Sequence, residues 1–581
     1  YTITANISNT TFQTTIWLSS MPFGTLTSAV EGAALSLGEA MTPITLNYTS
    51  QAGNGTIYNG TGNVSMLSIS GSGGSNPSLL TAVGNTLYFE ANDGTNGMEL
   101  WKSDGTASGT VMVKDINSGS GSSILNYLTA VGNTLYFEAY DTTNGKELWK
   151  SDGTANGTVM VKDIYSGSSD SNIAYLTAIG NTLFFRAYDG INGFELWKSD
   201  GTASGTMMVK DIRSGSGGGS PSELTAVGNT LYFRATDGTN GYELWKSDGT
   251  ASGTMMVKDI LSGGDGISGS GGISFTAIGN TLYFTATDGI TNGKELWKSD
   301  GTATNTVMVK DIYSGGSSSY PAHFTAIGNT LYFRANDGIN GAELWKSDGT
   351  ASGTVMVKDI RSGSGPGAPS YLTAVGNTLF FRASDGINGI ELWKSDGTAS
   401  GTGMVKDINN GIAVSSPIYL TAVGNTLYFR ADDGINGMEL WKSDGTASGT
   451  VMVKDIRSGS TGSEPTYLTA IGNTLYFQAA DGTNGRELWA LDPANITFNT
   501  PPPVSWETDP ALPAGMSISN GVISGTPSVY ANNQTYTIYA NQSGYSTTHE
   551  LYFSVDTDNA HTVVENQAID AIGFHPPFNN G

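Results

Sequence analysis

Residues 80–116 read LTAVGNTLYFEANDGTNGMELWKSDGTASGTVMVKDI, and close variants of this stretch recur along the chain. Two apolar-rich runs, LTAV and TLYFEA, flank Gly84-Asn85, which is a two-residue hairpin signal. DGTNG and DGTASGT supply two further turns, before MELWKS and VMVKDI. The stretch therefore predicts four short antiparallel strands and leaves no room for a helix.

The repeat is marked by the string ELW, which occurs nine times, at intervals of 48 residues except for one of 52. Four short strands repeated at this period predict the blades of a β-propeller. A single blade cannot bury both of its faces, so stacked blades would bury Leu, Tyr or Phe, and Trp between them. The tryptophans predicted to pack between blades are Trp101, Trp149, Trp197, Trp245, Trp297, Trp345, Trp393, Trp441 and Trp489.

The two ends of the repeat array predict a closed ring. After Trp489 the ninth unit continues as Ala490-Leu491-Asp492-Pro493 and has no fourth strand, whereas residues 63–69 align with the fourth strands of the other units. We expect residues 63–69 to complete the ninth blade, because closure removes exposed sheet edges. The prediction is an all-β, nine-bladed propeller, and an open superhelix of blades is the alternative.

The repeated units resemble the ELWxxDGT repeat family. ELWKSDGTASGT or a close variant stands in eight units, the ninth keeps ELW, and the resemblance covers roughly residues 63–492. Such repeats occur in large secreted and surface proteins, usually without an assigned activity. The resemblance implies a propeller-like scaffold and says little about a ligand.

The flanking segments resemble a second family. Residues 504–555 contain SWETDPALPAGMSI, GVISGTP and YTIYAN, and they are similar to the immunoglobulin-like modules with the pattern PALPAGLSI…GxISGTP. The resemblance implies small β-sandwiches that occur in tandem on cell-surface proteins, as in marine microbes. Residues 1–20 repeat the pattern of 536–555, and residues 29–47 loosely repeat that of 563–581.

These similarities predict that the propeller interrupts a sandwich, since the ends of a closed ring lie close together. The predicted segments are the last hairpin of a preceding module (1–20), a linker with the opening strands of a split module (21–57), the propeller (58–492), the remainder of that module (493–555), and a linker with the opening strand of a following module (556–581). Head-to-tail self-association by strand addition, or continuation in a longer chain, would complete the outer segments. Flexible ends are the alternative.

The composition excludes several classes of function. With 27 Lys+Arg against 51 Asp+Glu the net charge is −24, which opposes binding to nucleic acid. The absence of cysteine excludes disulfides and thiolate metal sites. No apolar run approaches the ~20 residues that a membrane-spanning helix needs, so membrane insertion is not expected.

Catalysis finds little support in the sequence. The chain has four histidines, and metalloprotease, nucleophile-elbow and phosphate-loop patterns do not occur. The blades are nearly uniform, whereas an enzyme needs blades that depart from the consensus where side chains converge. We therefore predict no catalytic residues and no enzymatic activity. The histidines are His323, His549, His561 and His575.

A weak calcium site is the one cofactor candidate. Asp93, Asn96 and Glu99, with their equivalents in the other units, offer oxygen ligands beside a turn-making glycine. The spacing is not that of an EF-hand loop, and Asp, Asn and Gly also make turns without metal. We favour the turns and expect no cofactor.

Glycosylation sequons are concentrated outside the blades, which favours an exported, extracellular or cell-surface protein. Asn156 alone lies well inside the repeat array. The candidate acceptors are Asn6, Asn9, Asn47, Asn54, Asn59, Asn63, Asn156, Asn495, Asn533 and Asn541.

The leading functional hypothesis is an extracellular structural protein, in which rigid propeller beads are linked by sandwich modules into a filament, sheath or stalk. The alternative is an adhesin or glycan-binding propeller. A tryptophan ladder for sugars is less favoured than packing. Glycan binding would instead use the variable connectors between units, such as SSILNY (122–127), GGGSPSE (217–223) and TGSEPTY (461–467).

Overall fold

The structure is a computed structural model that describes residues 64–69, 73–269, 274–289, 291–492, 508–512 and 514–517. Outside these ranges it describes only the backbone of certain strands. The chain divides into two units, one formed by Gly62–Ile496 and the other by Tyr1–Thr61 with Thr497–Gly581. In the described residues, no helix has the length and apolar character needed to cross a membrane.

The unit Gly62–Ile496 is a ring of nine four-stranded antiparallel blades, numbered here in the order of their ELW strings. In blades 1 to 8 the strands follow the chain from the ring axis outward, and in blade 9 the outer strand comes from before the first blade. The inner strands are β6 (Ser78–Val83), β10 (Asn126–Val131), β14 (Ala174–Ile179), β18 (Ser222–Val227), β22 (Phe275–Ile278), β26 (Ala322–Ile327), β30 (Ser370–Val375), β34 (Ile418–Val423) and β38 (Thr466–Ile471). The second strands are β7 (Thr86–Asn92), β11 (Thr134–Asp141), β15 (Thr182–Tyr188), β19 (Thr230–Thr236), β23 (Thr281–Thr287), β27 (Thr330–Asn336), β31 (Thr378–Ala383), β35 (Thr426–Asp432) and β39 (Thr474–Ala480).

The third strand of each blade carries the ELW string, and the outer strand is short. The third strands are β8 (Met98–Ser103), β12 (Gly145–Ser151), β16 (Phe194–Ser199), β20 (Tyr242–Ser247), β24 (Lys294–Ser299), β28 (Ala342–Ser347), β32 (Glu391–Ser395), β36 (Met438–Ser443) and β40 (Arg486–Asp492). The outer strands are β9 (Val111–Lys114), β13 (Val159–Lys162), β17 (Met207–Lys210), β21 (Met255–Lys258), β25 (Val307–Lys310), β29 (Val355–Lys358), β33 (Gly403–Lys406), β37 (Val451–Lys454) and, for blade 9, β5 (Asn63–Leu67).

The ring closes through β5, as the sequence predicts. Met66 lies opposite Trp489 in the antiparallel pair of β5 with β40. The hydroxyl of Thr469 in blade 9 donates to the carbonyl of Leu80 in blade 1 at 3.2 Å, as the hydroxyl of Thr177 does to the carbonyl of Leu224 between blades 3 and 4. The all-β, nine-bladed prediction is confirmed, and the open superhelix is excluded.

The core lies between blades and repeats around the ring. At the junction of blades 1 and 2, Tyr88 and Leu100 pack with Phe137 and Trp149. The residues of the Phe137 slot are fully buried in all nine blades. Burial of large side chains on this scale stabilises the ring because each contributes about 1.5–3 kcal/mol of transfer free energy.

Lysines add a polar link at most junctions. The ammonium of Lys102 donates to the carbonyl of Gly153 in the next blade at 2.8 Å. That of Lys114 donates to the carbonyl of Thr158 at 2.8 Å and lies 5.9 Å from the ring centroid of Trp149. Leu67 and Ala490 replace these two lysines in blade 9, and both are buried. The closing junction is therefore more apolar than the others.

The other unit is built from both ends of the chain. Its described strands are β1 (Thr2–Ile7), β2 (Thr10–Thr15), β3 (Ala33–Ser36), β4 (Met41–Leu46), β41 (Ser505–Asp509), β42 (Met516–Ser519), β43 (Val522–Gly525), β44 (Ala531–Gln542) and β45 (Tyr545–Asp556). They form two sheets, with the orders β2-β1-β4-β43-β42 and β3-β45-β44-β41. Strands from before the propeller thus pair with strands from after it.

The pairing of the first hairpin is a feature that the sequence analysis does not predict. It assigns residues 1–20 to a preceding module, and the structure pairs β1 with β4, through Ile3 opposite Leu46. The segment boundaries given above stay predictions, and residues 557–581, predicted to open a following module, lie outside the described residues.

Candidate functional site

One end of the ring carries the segments that vary between blades. The connectors from each outer strand to the next inner strand lie at this end, together with the turns between second and third strands. We call this end the connector face. Because the inner strands surround the ring axis and begin at this end, their first residues form the mouth of the ring on the connector face.

The mouth residues of eight of the nine blades have an unusual backbone conformation. Their φ angles lie between 54° and 60°, in the left-handed region, although none of them is glycine. This conformation costs a non-glycine residue roughly 1–2 kcal/mol. Tyr127, Tyr371, Tyr419 and Tyr467 keep 38–48% of their surface exposed. These mouth residues are Leu79, Tyr127, Tyr175, Glu223, His323, Tyr371, Tyr419 and Tyr467.

A second ring of polar side chains lies beside the mouth residues, near the end of each second strand. Arginine occupies this slot in five blades, and three of the guanidinium groups lie over a mouth tyrosine. The distances from guanidinium carbon to ring centroid are 4.9 Å in blade 3, 4.8 Å in blade 7 and 5.1 Å in blade 8. These second-strand residues are Glu90, Glu138, Arg186, Arg234, Thr285, Arg334, Arg382, Arg430 and Gln478.

Charge is unevenly distributed around this ring. Blades 1 and 2 carry Glu90 and Glu138, and burial raises the pKa of both carboxyls. Blades 6, 7 and 8 carry arginine, and burial lowers the pKa of Arg334 and Arg430. Burial, followed by the nearby Arg334 and Arg382, also lowers the pKa of His323. Blades 3 and 4 also carry arginine, but Glu223 lies at the mouth beside them. The mouth is therefore cationic over blades 6 to 8 and acidic over blades 1 and 2.

The type of second-strand residue matches the connector that it faces. Glu90 accepts a hydrogen bond from the main-chain N–H of Leu125 at 2.9 Å, and Glu138 accepts one from Ile173 at 2.8 Å. Six other connectors have proline at this place, which has no N–H to donate. There the slot holds a donor instead, as where Gln478 donates to the carbonyl of Pro77 at 2.9 Å.

The predicted calcium ligands do not converge on one point. Asp93 and Asn96 are hydrogen-bonded to each other, and Glu99 is bonded to a different segment. Asp93 accepts hydrogen bonds from the main-chain N–H groups of Thr95 and Asn96, both at 2.8 Å, and from the Asn96 side chain at 2.7 Å. Glu99 is buried and accepts from the N–H of Ile116 at 2.8 Å. Among the described residues no group of three or more His, Cys, Asp or Glu side chains could hold a metal ion. This geometry favours turns, and calcium binding stays untested.

The ELW glutamates hold the connectors in place. Glu295, for example, accepts from the N–H and the hydroxyl of Ser319 at 3.0 and 2.5 Å. Burial raises the pKa to about 7 for eight of these carboxyls, although hydrogen bonds oppose the shift. The eight are Glu99, Glu147, Glu195, Glu243, Glu295, Glu343, Glu391 and Glu439.

Of the other predicted residues, the tryptophans and one glycosylation candidate have described side chains. The nine tryptophans of the ELW strings are buried in the inter-blade clusters. Asn156 is exposed in a turn. The remaining acceptors and three of the histidines have side chains outside the described residues: Asn6, Asn9, Asn47, Asn54, Asn59, Asn63, Asn495, Asn533, Asn541, His549, His561 and His575.

Sequence reasoning missed the mouth residues and the second-strand ring. It placed variability in the connectors, and Tyr127, Glu223 and Tyr467 stand at the ends of the three connectors it quoted. The signal was present in the aligned repeats, where one slot changes from Glu to Arg while its neighbours stay constant. The left-handed conformation had no such signal, because tyrosine is not a residue that marks it.

Comparison with known proteins finds a similarity in the C-terminal part of the chain. A family described as "Putative Ig domain" matches residues 487–556, in line with the resemblance of residues 504–555. Its first residues overlap β40 of the propeller. No curated protein matches the chain. The resemblance of the blades to the ELWxxDGT family stays a prediction.

Solved structures with some likeness to the chain are a puromycin hydrolase and two kinds of peptidase. A puromycin hydrolase has 12% identity and a TM-score of 0.35, covering 78% of this chain and 62% of its own. A structure from an analysis of two prolyl endopeptidases has 10% identity and a TM-score of 0.34, covering 72% of this chain and 54% of its own. A puromycin-hydrolyzing peptidase from Mycobacterium tuberculosis has 9% identity and a TM-score of 0.33, covering 61% of this chain and 58% of its own. The chain thus spans less than two thirds of each of these proteins.

Proposed function

We propose that this chain is a non-enzymatic, extracellular structural protein, a subunit or repeat segment of a surface filament, sheath or stalk. A propeller combined with an immunoglobulin-like module fits a surface or structural role. The observation that carries the proposal is the pairing of β1 with β4 in the split unit.

The hairpin β1–β2 repeats the sequence of the hairpin β44–β45. Ile3 corresponds to Ile538, and in the structure Ile3 lies opposite Leu46 of β4 while Ile538 lies opposite Thr508 of β41. The same edge of the same kind of hairpin therefore has two partner strands, β41 and β4. A sheet that accepts such a hairpin on β4 can take it from another module.

Strand addition of this kind joins unlike surfaces. A hairpin from one module and the β4 edge of the next form a heterologous interface, which propagates into a filament unless the rotation closes. Main-chain hydrogen bonds supply affinity in such junctions. The propeller is then a spacer, made stiff by the burial and lysine links that repeat at its blade junctions.

The test is negative-stain electron microscopy of the full chain. We expect beaded filaments, and we expect Thr4→Pro to release single particles because proline removes a main-chain donor from the middle of β1. Thr4→Ala keeps that N–H and is the matched control, so it should leave filaments unchanged. Monodisperse single particles from the unaltered chain at every concentration would contradict the proposal.

A further inference from the structure

We infer that the mouth of the ring over blades 6 to 8 binds an acidic glycan, a chain of sugars that carry carboxylate or sulfate groups. The inference concerns the connector face and stands independently of the filament proposal. It rests on charge, exposed aromatic surface, asymmetry and backbone conformation at named residues.

In the described part of the chain, three arginines at the mouth lack a counter-ion. Arg334, Arg382 and Arg430 occupy the same slot in consecutive blades, and burial lowers the pKa of two of them. Among the described residues none of these three guanidinium groups forms an ion pair, and Arg382 donates only to the neutral hydroxyl of Ser370, at 3.0 Å. A partly buried cation without a counter-ion is unfavourable, and an anionic ligand would offset that cost.

The arginines are also unusual in their location. The chain carries a net charge of −24, yet all nine arginines lie in connectors or at the connector-face ends of strands: Arg186, Arg213, Arg234, Arg334, Arg361, Arg382, Arg430, Arg457 and Arg486. Blades 1 and 2 have none. The planar guanidinium fork suits bidentate contact with a carboxylate or sulfate.

Exposed tyrosine rings lie beside these arginines. Tyr371 and Tyr419 lie over the guanidinium groups of Arg382 and Arg430, and they remain 44% and 38% exposed. Tyr467 follows in blade 9 and is 42% exposed. The C–H face of a sugar ring packs on an exposed aromatic face, and the adjacent arginine would take its acidic group.

The backbone is strained at the mouth tyrosines of blades 7, 8 and 9. All three tyrosines have φ between 54° and 56°, where glycine would carry no steric cost. Strained non-glycine residues are concentrated at binding sites, where the surrounding fold holds a side chain in place. The conformation presents a tyrosine beside an arginine in blades 7 and 8, which are consecutive. Blade 3 has such a pair too, Tyr175 with Arg186, but the mouth residue of the blade that follows it is the acidic Glu223.

Blade 2 provides a comparison within the same ring. Tyr127 has the same conformation and is 48% exposed, but the second-strand residue of its blade is Glu138. Acidic residues on blades 1 and 2 would repel an acidic ligand. Binding is therefore confined to the arginine-bearing arc, and Tyr127 serves as a matched control.

The experiment is titration calorimetry of the full chain with oligogalacturonate of defined length, using its methyl ester as the neutral ligand. We expect saturable binding that weakens with added salt and is absent for the ester. Arg382→Gln should weaken binding about 10-fold through loss of a charge-assisted contact. Gln478 holds this slot in blade 9, so the substitution suits the fold. Tyr419→Asn should weaken binding about fivefold, since Asn tolerates positive φ.

Two control variants define the location. Tyr127→Asn in blade 2 and Arg213→Gln in an exposed connector should change the affinity less than about twofold. Equal losses from Tyr127→Asn and Tyr419→Asn would overturn the site. Equal affinity for polyglutamate would assign the surface to an acidic peptide and overturn the ligand class. Lack of saturable binding to both oligogalacturonate and dextran sulfate would overturn the inference altogether.

Discussion

The carboxylate of Glu487 accepts a hydrogen bond from the main-chain N–H of Ser75, which lies 412 residues earlier in the chain, at 3.0 Å. The hydroxyl of Ser75 donates to the same carboxylate at 2.5 Å. Blade 9 thus holds the connector that leads into blade 1, as the other ELW glutamates hold theirs. The closing junction keeps this contact even though it lacks both lysine links.

We predict that the closing junction depends on apolar contact more than any other. Leu67 is buried in a cluster with Phe89 and Trp101 of blade 1, so Leu67→Ala should lower the free energy of unfolding by about 2–5 kcal/mol. Lys162→Ala removes the lysine in the equivalent slot of blade 2 and should cost only about 1 kcal/mol. Urea denaturation measures both.

Hydrogen exchange identifies where the ring weakens. In Leu67→Ala the amides of β5 and β40 should lose protection before those of blades 4 and 5, since local opening follows lost burial. An unchanged unfolding midpoint in Leu67→Ala, or uniform loss of protection across all blades, would contradict a closure held by apolar packing.

Gly153 is predicted to resist replacement, for a reason that can be tested with a second substitution. Its φ is +88°, and a Cβ there would collide with the Tyr88 hydroxyl of the preceding blade. Gly153→Ala should therefore cost more than Gly132→Ala, whose φ is +58° but whose Cβ would meet no atom within 4 Å. The control reports the backbone cost alone, about 1–2 kcal/mol.

Tyr88→Phe tests the cause of the additional cost. Phe184 already faces Gly249 in the corresponding contact, so the substitution suits the fold. Removing the hydroxyl should recover much of the stability lost in Gly153→Ala, as judged by the urea midpoint. If the double variant is as unstable as the sum of its single changes, the collision with Tyr88 is not the cause.

The ring is predicted to be more stable at pH 5 than at pH 8. Burial raises the pKa of Glu147 and seven equivalents to about 7, above about 4.3 for an unfolded chain. Between these values the folded ring binds more protons, so its stability is full at the low end and falls as pH rises through 7. Thermal midpoints should decrease over this range, and less so in Glu147→Gln.

Stability should also fall below about pH 4, for the opposite reason. A hydrogen bond from the Thr106 hydroxyl lowers the pKa of Asp104, as equivalent bonds do in blades 2 to 8. A lowered pKa stabilises the fold above the unfolded value, and that contribution is lost on protonation. Midpoints that rise steadily from pH 5 to pH 8 would contradict the role of the buried glutamates.

The match between second-strand residue and connector predicts a compensating pair. Leu125→Pro removes the N–H that Glu90 accepts and should cost about 1–3 kcal/mol, because the buried carboxylate loses a donor. Adding Glu90→Gln should restore stability, as the Gln478–Pro77 pair shows the alternative arrangement. A double-mutant cycle measures the coupling, expected to exceed about 0.5 kcal/mol. If the two losses of stability are additive, residue 90 and the connector residue 125 are not energetically coupled.

The fold was predictable because the turn residues, the repeat period and the two ends of the repeat array all indicate the same propeller. Gly84-Asn85 marks a hairpin, ELW fixes the period, and the missing strand after Trp489 finds its complement near Met66. Each signal is local, or is a simple count, so one chain suffices to recognise it.

The mouth of the ring was not predictable in the same way. Which connectors meet which second strands depends on packing between blades, and Tyr371 gives no local sign of its backbone conformation. The uniformity of ELW also concealed the change from Glu90 to Arg186 at a nearby slot. Reading the repeats for their differences would have found the charge asymmetry, though not the stacking of Arg382 on Tyr371.

The origin of β5 has a consequence for biosynthesis. The strand that completes the last blade emerges from the ribosome before any of the blades, and the strand with which it pairs, β40, is the last propeller strand to be made. Throughout elongation the growing stack therefore ends in unpaired blade surfaces, and β5 must remain free of the wrong outer edge. Docking of β5 is a late, long-range step, so it is slow relative to blade formation.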